Sequence, residues 1–267
     1  AINELVKGQR HALAVNYNQY GINDRDISDS LILKRFCDVH GFDFRNLNSP
    51  NVHGATLLTY AIDTRNERMV EIALEKGADP TCKDGFEHFP LSVAISKGFI
   101  TITNLVREKI KQVAFEKLSG FCHKYGFDVN DLNAENAHGV TPLTVAVDHG
   151  YIEITGILLK HNIDVNLENS HGNCALKIAR LKSNKEIIAM VEQEVEQRSR
   201  HSLNMFCCKY GFDVNDLNAE NKHGVTPITV AVDHLDIEMT KILLTQKVDV
   251  YKRNSHGNCA LKIAEVK

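Results

Sequence analysis

The sequence contains no apolar run approaching the roughly 18 residues needed to span a bilayer, which excludes a membrane bundle. It has no Cys-x-x-Cys pair, and its seven cysteines are an odd number. In a chain of 267 residues that usage predicts reduced thiols in a cytosol, not a disulfide scaffold. There is no surplus of positive charge: 34 acidic residues against 31 basic ones leave a formal charge of -3. A general nucleic-acid binder needs a basic face to neutralise phosphates, so this balance argues against one. The opening Ala1-Ile2-Asn3-Glu4-Leu5 has neither an initiator Met nor the basic-then-apolar layout of a signal peptide. It reads as the edge of a processed or partial chain. Also missing are His-Glu-x-x-His, Gly-x-Gly-x-x-Gly, a Walker lysine loop and Gly-x-Ser-x-Gly. No catalytic residue, cofactor or enzyme activity is therefore expected within these residues.

What is present sits near a globular average, with 43% hydrophobic and 24% charged residues. That rules out a disordered tail and a collagen-like fibre. The length lies slightly above the point where one core stops growing, so it predicts one large domain, two ordinary ones or a repeat array. Asn is abundant, at 23 residues, many of them in segments that look like turns. We read that abundance as a weak sign of an AT-rich coding genome.

Internal repetition decides among the three. Phe36-Cys37 returns as Phe121-Cys122 and Phe206-Cys207, a step of 85 residues each time. Residues 121–182 and 206–267 align without a gap and differ at 16 of 62 positions, while the first copy keeps Gly41-Phe42-Asp43, His53-Gly54 and Ala61. Within each copy a smaller step of 33 links His138-Gly139 to His171-Gly172. Thr141-Pro142 opens a helix with Pro at an early site where the missing N–H costs little. Leu143, Val145 and Ala146 give it an apolar stripe, and Gly150 ends it with a residue that tolerates positive φ. Ile154, Ile157, Leu158 and Leu159 then mark a second amphipathic helix, followed by Asp164-Val165-Asn166.

These residues resemble the ankyrin repeat: a Gly-x-Thr-Pro-Leu start, an Ala-rich inner helix, a Gly turn, a Leu-Leu outer helix and an Asp-Val-Asn exit. The frame fits 51–83, 84–116, 136–168, 169–201 and 221–253, with a sixth repeat cut short at 254–267. The resemblance implies an all-α ankyrin-repeat solenoid of stacked helix-turn-helix units with β-hairpin-like fingers, arranged in 85-residue super-repeats over residues 50–267. Three departures stand out. Glu87 and Phe89 occupy places where Gly and Thr belong, which predicts a distorted finger at 84–116. The second repeat of each copy replaces Thr-Pro-Leu with Phe89-Pro90-Leu91, Cys174-Ala175-Leu176 or Cys259-Ala260-Leu261. Finally, 19 of every 85 residues are left over near 117–135 and 202–220. They resemble an outer helix with its exit, lengthened by Asp131-Leu132-Asn133, as a half-repeat whose inner helix is missing or fused into the helix before it. Ile110, Ala114, Phe115, Leu118, Phe121 and Cys122 keep helical spacing through that junction, which leaves one long helix or two broken near Ser119-Gly120 as alternatives. Residues 1–49 predict a helix over Glu4–Tyr17 and an outer helix over Ser30–His40, together an N-terminal cap and half-repeat. Glu265-Val266-Lys267 stops inside an inner helix, so the natural protein is expected to continue.

Cys37, Cys122 and Cys207 lie near His40, His123 and Lys209, and a Cys-His pair is a nucleophile signature. The competing reading, which we favour, is a small apolar residue in the second Leu slot of an outer helix. Cys174 and Cys259 receive the same reading, and Cys208 is expected to be exposed. His53, His138, His171, His223 and His256 each precede a finger Gly and predict a row, not a tetrahedral cage. Their expected role is hydrogen bonding that fixes the finger or plain surface contact, with no metal.

The architecture favours binding in a groove lined by finger tips and inner-helix ends. Asp63-Thr64, Asp148-His149 and Asp233-His234 would stand at the inner-helix ends of the first repeats, and Ser96-Lys97, Leu181-Lys182 and Val266-Lys267 at those of the second. Acidic and basic steps would then alternate, suiting a protein partner of mixed charge. His138, Lys222 and His223 complete the finger side. Between copies the sharpest changes turn Asn166-Leu167-Glu168 into Tyr251-Lys252-Arg253, so Glu168, Tyr251 and Arg253 join the candidates. The expected function is a cytoplasmic scaffold or adaptor that recognises a partner protein, without nucleic-acid binding or membrane insertion. Two alternatives remain: the targeting arm of a larger bacterial effector (then in host cytosol) or enzyme, and a structural array self-associating through its uncapped end.

Overall fold

Seven-residue helices recur through the chain because the same local signals recur. In the computed structural model, which describes residues 24–267, they are α2 (Leu57–Asp63), α4 (Pro90–Ser96), α6 (Pro142–Asp148), α8 (Ala175–Leu181), α10 (Pro227–Asp233) and α12 (Ala260–Val266). Thr56, Thr141 and Thr226 sit at the N-caps of α2, α6 and α10. In each case the Thr three residues on accepts the cap residue's backbone N–H through Oγ1 at 3.0 Å. A Thr fills the place Glu usually takes in a capping box, and all six are buried, where a short neutral hydroxyl is cheaper than a carboxylate. Phe89, Cys174 and Cys259 have no oxygen to offer and make no cap bond.

Helices this short are unstable alone and depend on packing. Outer helices follow: α3 (Glu67–Glu75), α5 (Ile100–Tyr125), α7 (Ile152–Leu159), α9 (Lys185–Tyr210) and α11 (Ile237–Thr245), with α1 (Asp24–His40) preceding them. Among the described residues there are these twelve helices and no strand. The expected helix at Glu4–Tyr17 lies outside the described residues, while Ser30–His40 falls within α1.

Two compact units are present, one ending at Lys117 and one running from Leu118 to Lys267. In the first, Leu57, Leu58, Ala61 and Ile62 of α2 pack with Val70, Ile72 and Ala73 of α3, with Leu33 and Cys37 of α1 in the same core. In the second, Leu143, Ala146 and Val147 pack with Leu158, Leu159, Ile187 and Val191, and a further cluster gathers Leu203, Phe206, Cys207, Ile228, Ala231 and Leu243.

The junction between blocks is continuous: α5 and α9 are each single helices of 26 residues, about 39 Å long at ~1.5 Å per residue. The half-repeat therefore has no inner helix of its own. In α9, Ile187 and Val191 are buried at one end and Leu203, Phe206 and Cys207 at the other. The polar middle is braced by Glu194–Arg198 (2.6 Å) and Glu196–Arg200 (3.0 Å) ion pairs. Arg198 also donates to the Leu159, His161 and Ile163 carbonyls, satisfying acceptors where α7 ends. Phe115, expected on the apolar stripe, is exposed instead.

This junction sets the layering. Inner helices pack in pairs, α2 with α4, α6 with α8 and α10 with α12, whereas α7, α9 and α11 form an unbroken outer row.

The fingers explain the abundant asparagine. Asn136 Oδ1 accepts the N–H groups of His138 and Val140 while its amide donates to the Tyr125 carbonyl at 2.9 Å, and Asn221 repeats this at Tyr210. Asn133 and Asn218 each accept the N–H of the next repeat's exit Asp, at 2.7 and 2.8 Å. The inserted Asp-Leu-Asn triplet thus ties one exit turn to the next. The finger at 84–88 is not distorted, contrary to expectation. Glu87 adopts φ 65°, and the Asp84–His88 and Glu87–Asp84 backbone bonds keep the standard finger pattern.

Candidate functional site

Because inner helices pair, the second unit presents two equivalent grooves. One, of about 460 Å³, lies between α6, α8 and their fingers, lined by Tyr125, His138, Asp148, His149, His171 and Lys182. The other, of about 650 Å³, lies between α10, α12 and their fingers, lined by Lys209, Tyr210, Lys222, His223, Asp233, His234 and His256.

The inner-helix ends come together as the sequence suggested, but with each other. Asp63 pairs with Lys97 at 2.7 Å, Asp148 with Lys182 at 2.9 Å and Asp233 with Lys267 at 3.3 Å. Consecutive inner helices end side by side, so acid and base neutralise one another. The alternating charge expected for a mixed-charge partner is largely spent inside the protein.

Thr64 is also committed locally: its hydroxyl donates to the Tyr60 carbonyl at 2.9 Å at the end of α2. His149 Nδ1 donates to the Val145 carbonyl at 3.0 Å, and its ring lies parallel to Tyr151 at 5.4 Å. His234 Nδ1 instead meets the Tyr210 hydroxyl at 3.0 Å. The finger histidines hydrogen-bond between repeats. His171 Nε2 donates to the His138 carbonyl at 3.1 Å, and His256 Nε2 to the His223 carbonyl at 2.8 Å. Glu168, Tyr251 and Arg253 are exposed but line neither groove, being in the turns that precede the second finger of each pair.

Aromatic rings at the helix ends were not among the sequence candidates. Phe121 stacks with Phe127 at 6.0 Å and contacts Tyr125 at 5.0 Å, while Phe206 stacks with Phe212 at 6.0 Å and contacts Tyr210 at 4.8 Å. In the first unit Phe36, His40, Phe42 and Tyr60 form the counterpart, with Tyr60 Oη 3.1 Å from His40 Nδ1. The signal available was the recurrence of Phe-x₅-Phe in step with the long period. The Tyr125 hydroxyl, at 2.9 Å, and the Lys124 ammonium hold the Tyr151 phenol below its ordinary range.

The cysteines behave as packing residues. Cys37, Cys122 and Cys207 are buried, and desolvation pushes each thiol up, that of Cys37 to about 11. A nucleophile needs the opposite shift, and His40 is engaged with Tyr60, not Cys37. All seven thiols are free, and Cys208 is exposed. No helix among the described residues is long and apolar enough to cross a membrane.

Residues 126–179 match the family model described as ankyrin repeats (many copies). The chain is 27% identical over 134 residues to potassium channel AKT2/3 of Arabidopsis thaliana, covering 46% of this chain and 17% of the channel. It is 26% identical over 135 residues to alpha-latrotoxin-Lg1a of Latrodectus geometricus, covering 50% of this chain and 9% of the toxin. A putative ankyrin repeat protein of Rickettsia bellii is 30% identical over 113 residues, 42% of this chain and 60% of that protein. The chain thus spans less than two thirds of each relative's length. Ankyrin repeats are generally protein–protein interaction modules and typically non-catalytic. Capped and paired inner helices, linked fingers, a row of outer helices and these likenesses agree: the chain is an ankyrin-repeat protein.

Proposed function

We propose that the chain is a recognition module that holds a partner protein in the grooves between paired inner helices and fingers. The observation that carries this reading is the duplication of a groove edged by His and Lys side chains, with one Tyr of each groove half-buried against the core. A Tyr at a groove edge supplies contact area at low entropic cost and is a residue type common at binding hot spots. The chain's free thiols fit a reducing compartment, which supports a cytoplasmic site of action.

The test is affinity capture from a eukaryotic lysate with the parent chain and a variant carrying Asp148→Ala, His149→Ala, Asp233→Ala and His234→Ala. A captured protein is then purified and titrated against both chains. Binding by the parent, weakened at least about tenfold in a variant with the parent's helical circular dichroism, supports the reading. Equal binding by both chains sinks it.

A second reading, that the array is the targeting arm of a larger protein, is favoured by two relatives in which the matched stretch is only 17% and 9% of the whole.

A further inference from the structure

The two grooves of the second unit repeat one backbone plan yet differ in charge. We propose that the groove formed by α10, α12 and the finger at 221–225 binds an acidic segment of a partner protein, one bearing Asp and Glu side chains. This rests on the recognition reading above and adds the partner's chemistry.

The lining carries Lys209 and Lys222 together with His223, His234 and His256. Its single carboxylate, Asp233, is paired with Lys267. Nearby Glu220 accepts the Ser255 hydroxyl, and Asp213 accepts the backbone and side-chain N–H groups of Asn215. Neither acid lines the groove, and no ion pair engages Lys209 or Lys222 among the described residues. Two ammonium groups are therefore available to a ligand.

The sister groove differs at both positions. Ala137 stands where Lys222 does, so its finger offers no charge. Lys124 stands where Lys209 does, but its ammonium lies over two rings, 4.9 Å from the Tyr125 centroid and 5.7 Å from that of Tyr151. Tyr151 is replaced by Asp236, whose carboxylate caps α11 by accepting the Met239 N–H at 2.9 Å. Lys209 then keeps one ring, Tyr210 at 4.9 Å, and lines the groove. Losing Tyr151 also leaves the Tyr210 hydroxyl to engage His234. One substitution thereby rearranges the edge, and a second adds a lysine to the finger. The larger volume, about 650 Å³ against about 460 Å³, gives side chains more room. Two exposed ammonium groups at the groove edge favour carboxylates and oppose basic segments by like-charge repulsion.

The experiment titrates fluorescein-labelled deca-glutamate, deca-lysine and a Gly-Ser peptide of equal length into the whole chain by fluorescence anisotropy. Deca-glutamate is expected to bind more tightly than the other two, and to weaken several-fold as salt rises from about 50 to about 300 mM. Lys209→Glu with Lys222→Glu should cost at least about tenfold, whereas Ala137→Glu in the sister groove should change binding less than about twofold. The proposal is overturned if deca-glutamate binds no better than the Gly-Ser peptide, or if the double lysine variant binds it like the parent. Displayed random peptides selected on the parent separate the two readings. Neutral or basic binders lost with His149→Ala and His234→Ala would refute the charge assignment and leave groove recognition standing. Selection of no groove-dependent peptide would refute both.

Discussion

Asp148 at the end of α6 and Lys182 just past the end of α8 form a 2.9 Å ion pair, and two other inner-helix pairs repeat it at their own ends. The side chains are about half exposed, so solvent screens the attraction. A double-mutant cycle of Asp148→Ala and Lys182→Ala should return a coupling of only about 0.2–1 kcal/mol, read from urea unfolding. A coupling well above that range would show that the pair holds the inner helices together instead of merely neutralising the groove edge.

Thr155 of α7 is fully buried, and its hydroxyl is the buried side-chain polar atom without a partner among the described residues. The equivalent residue of the first copy is Val70, also fully buried. Thr155→Val keeps the shape and removes an unsatisfied group, so it should stabilise the protein by about 1 kcal/mol. A denaturation midpoint that falls would refute this.

Leu235 follows α10 at φ 55° and is 66% exposed, in the place Gly150 holds at φ 71°. A side chain there crowds its own backbone for little burial in return. Leu235→Gly should therefore raise stability by about 1 kcal/mol, the left-handed cost for a non-glycine residue less the extra freedom of glycine when unfolded. Thermal unfolding of the two chains decides it.

Burial raises the Cys37, Cys122 and Cys207 thiols, so they stay protonated when an exposed thiol begins to ionise. At neutral pH a maleimide should label Cys208 first and leave these three until the chain unfolds. The sign for stability follows: the folded state holds the Cys37 proton up to about 11 and the unfolded chain only to its ordinary 9.0. The contribution is complete below about 9 and is lost as pH rises through about 11. Unfolding midpoints measured across that window should fall, and less so in Cys37→Ala.

Much of this was legible in the residues. Thr-Pro at a helix start, Leu and Ala spacing and the recurring Gly mark the helical pairs because those signals act over three or four residues, the range at which a helix forms. Glu87 was misleading: its neighbours' hydrogen bonds hold the turn against a residue that dislikes it.

Contacts between segments some 30 residues apart were decided otherwise. Nothing local in Asp148 or Lys182 says that one will neutralise the other, since their meeting depends on how α6 lies against α8. The continuous α9 likewise follows from burial at both of its ends, where Ile187 and Leu203 enter different clusters. Local sequence determined the repeating unit and the buried face of its short inner helices. The tertiary structure alone decided that inner helices pair, that the grooves are separate, and which charges remain for a partner, because packing and charge neutralisation act through space.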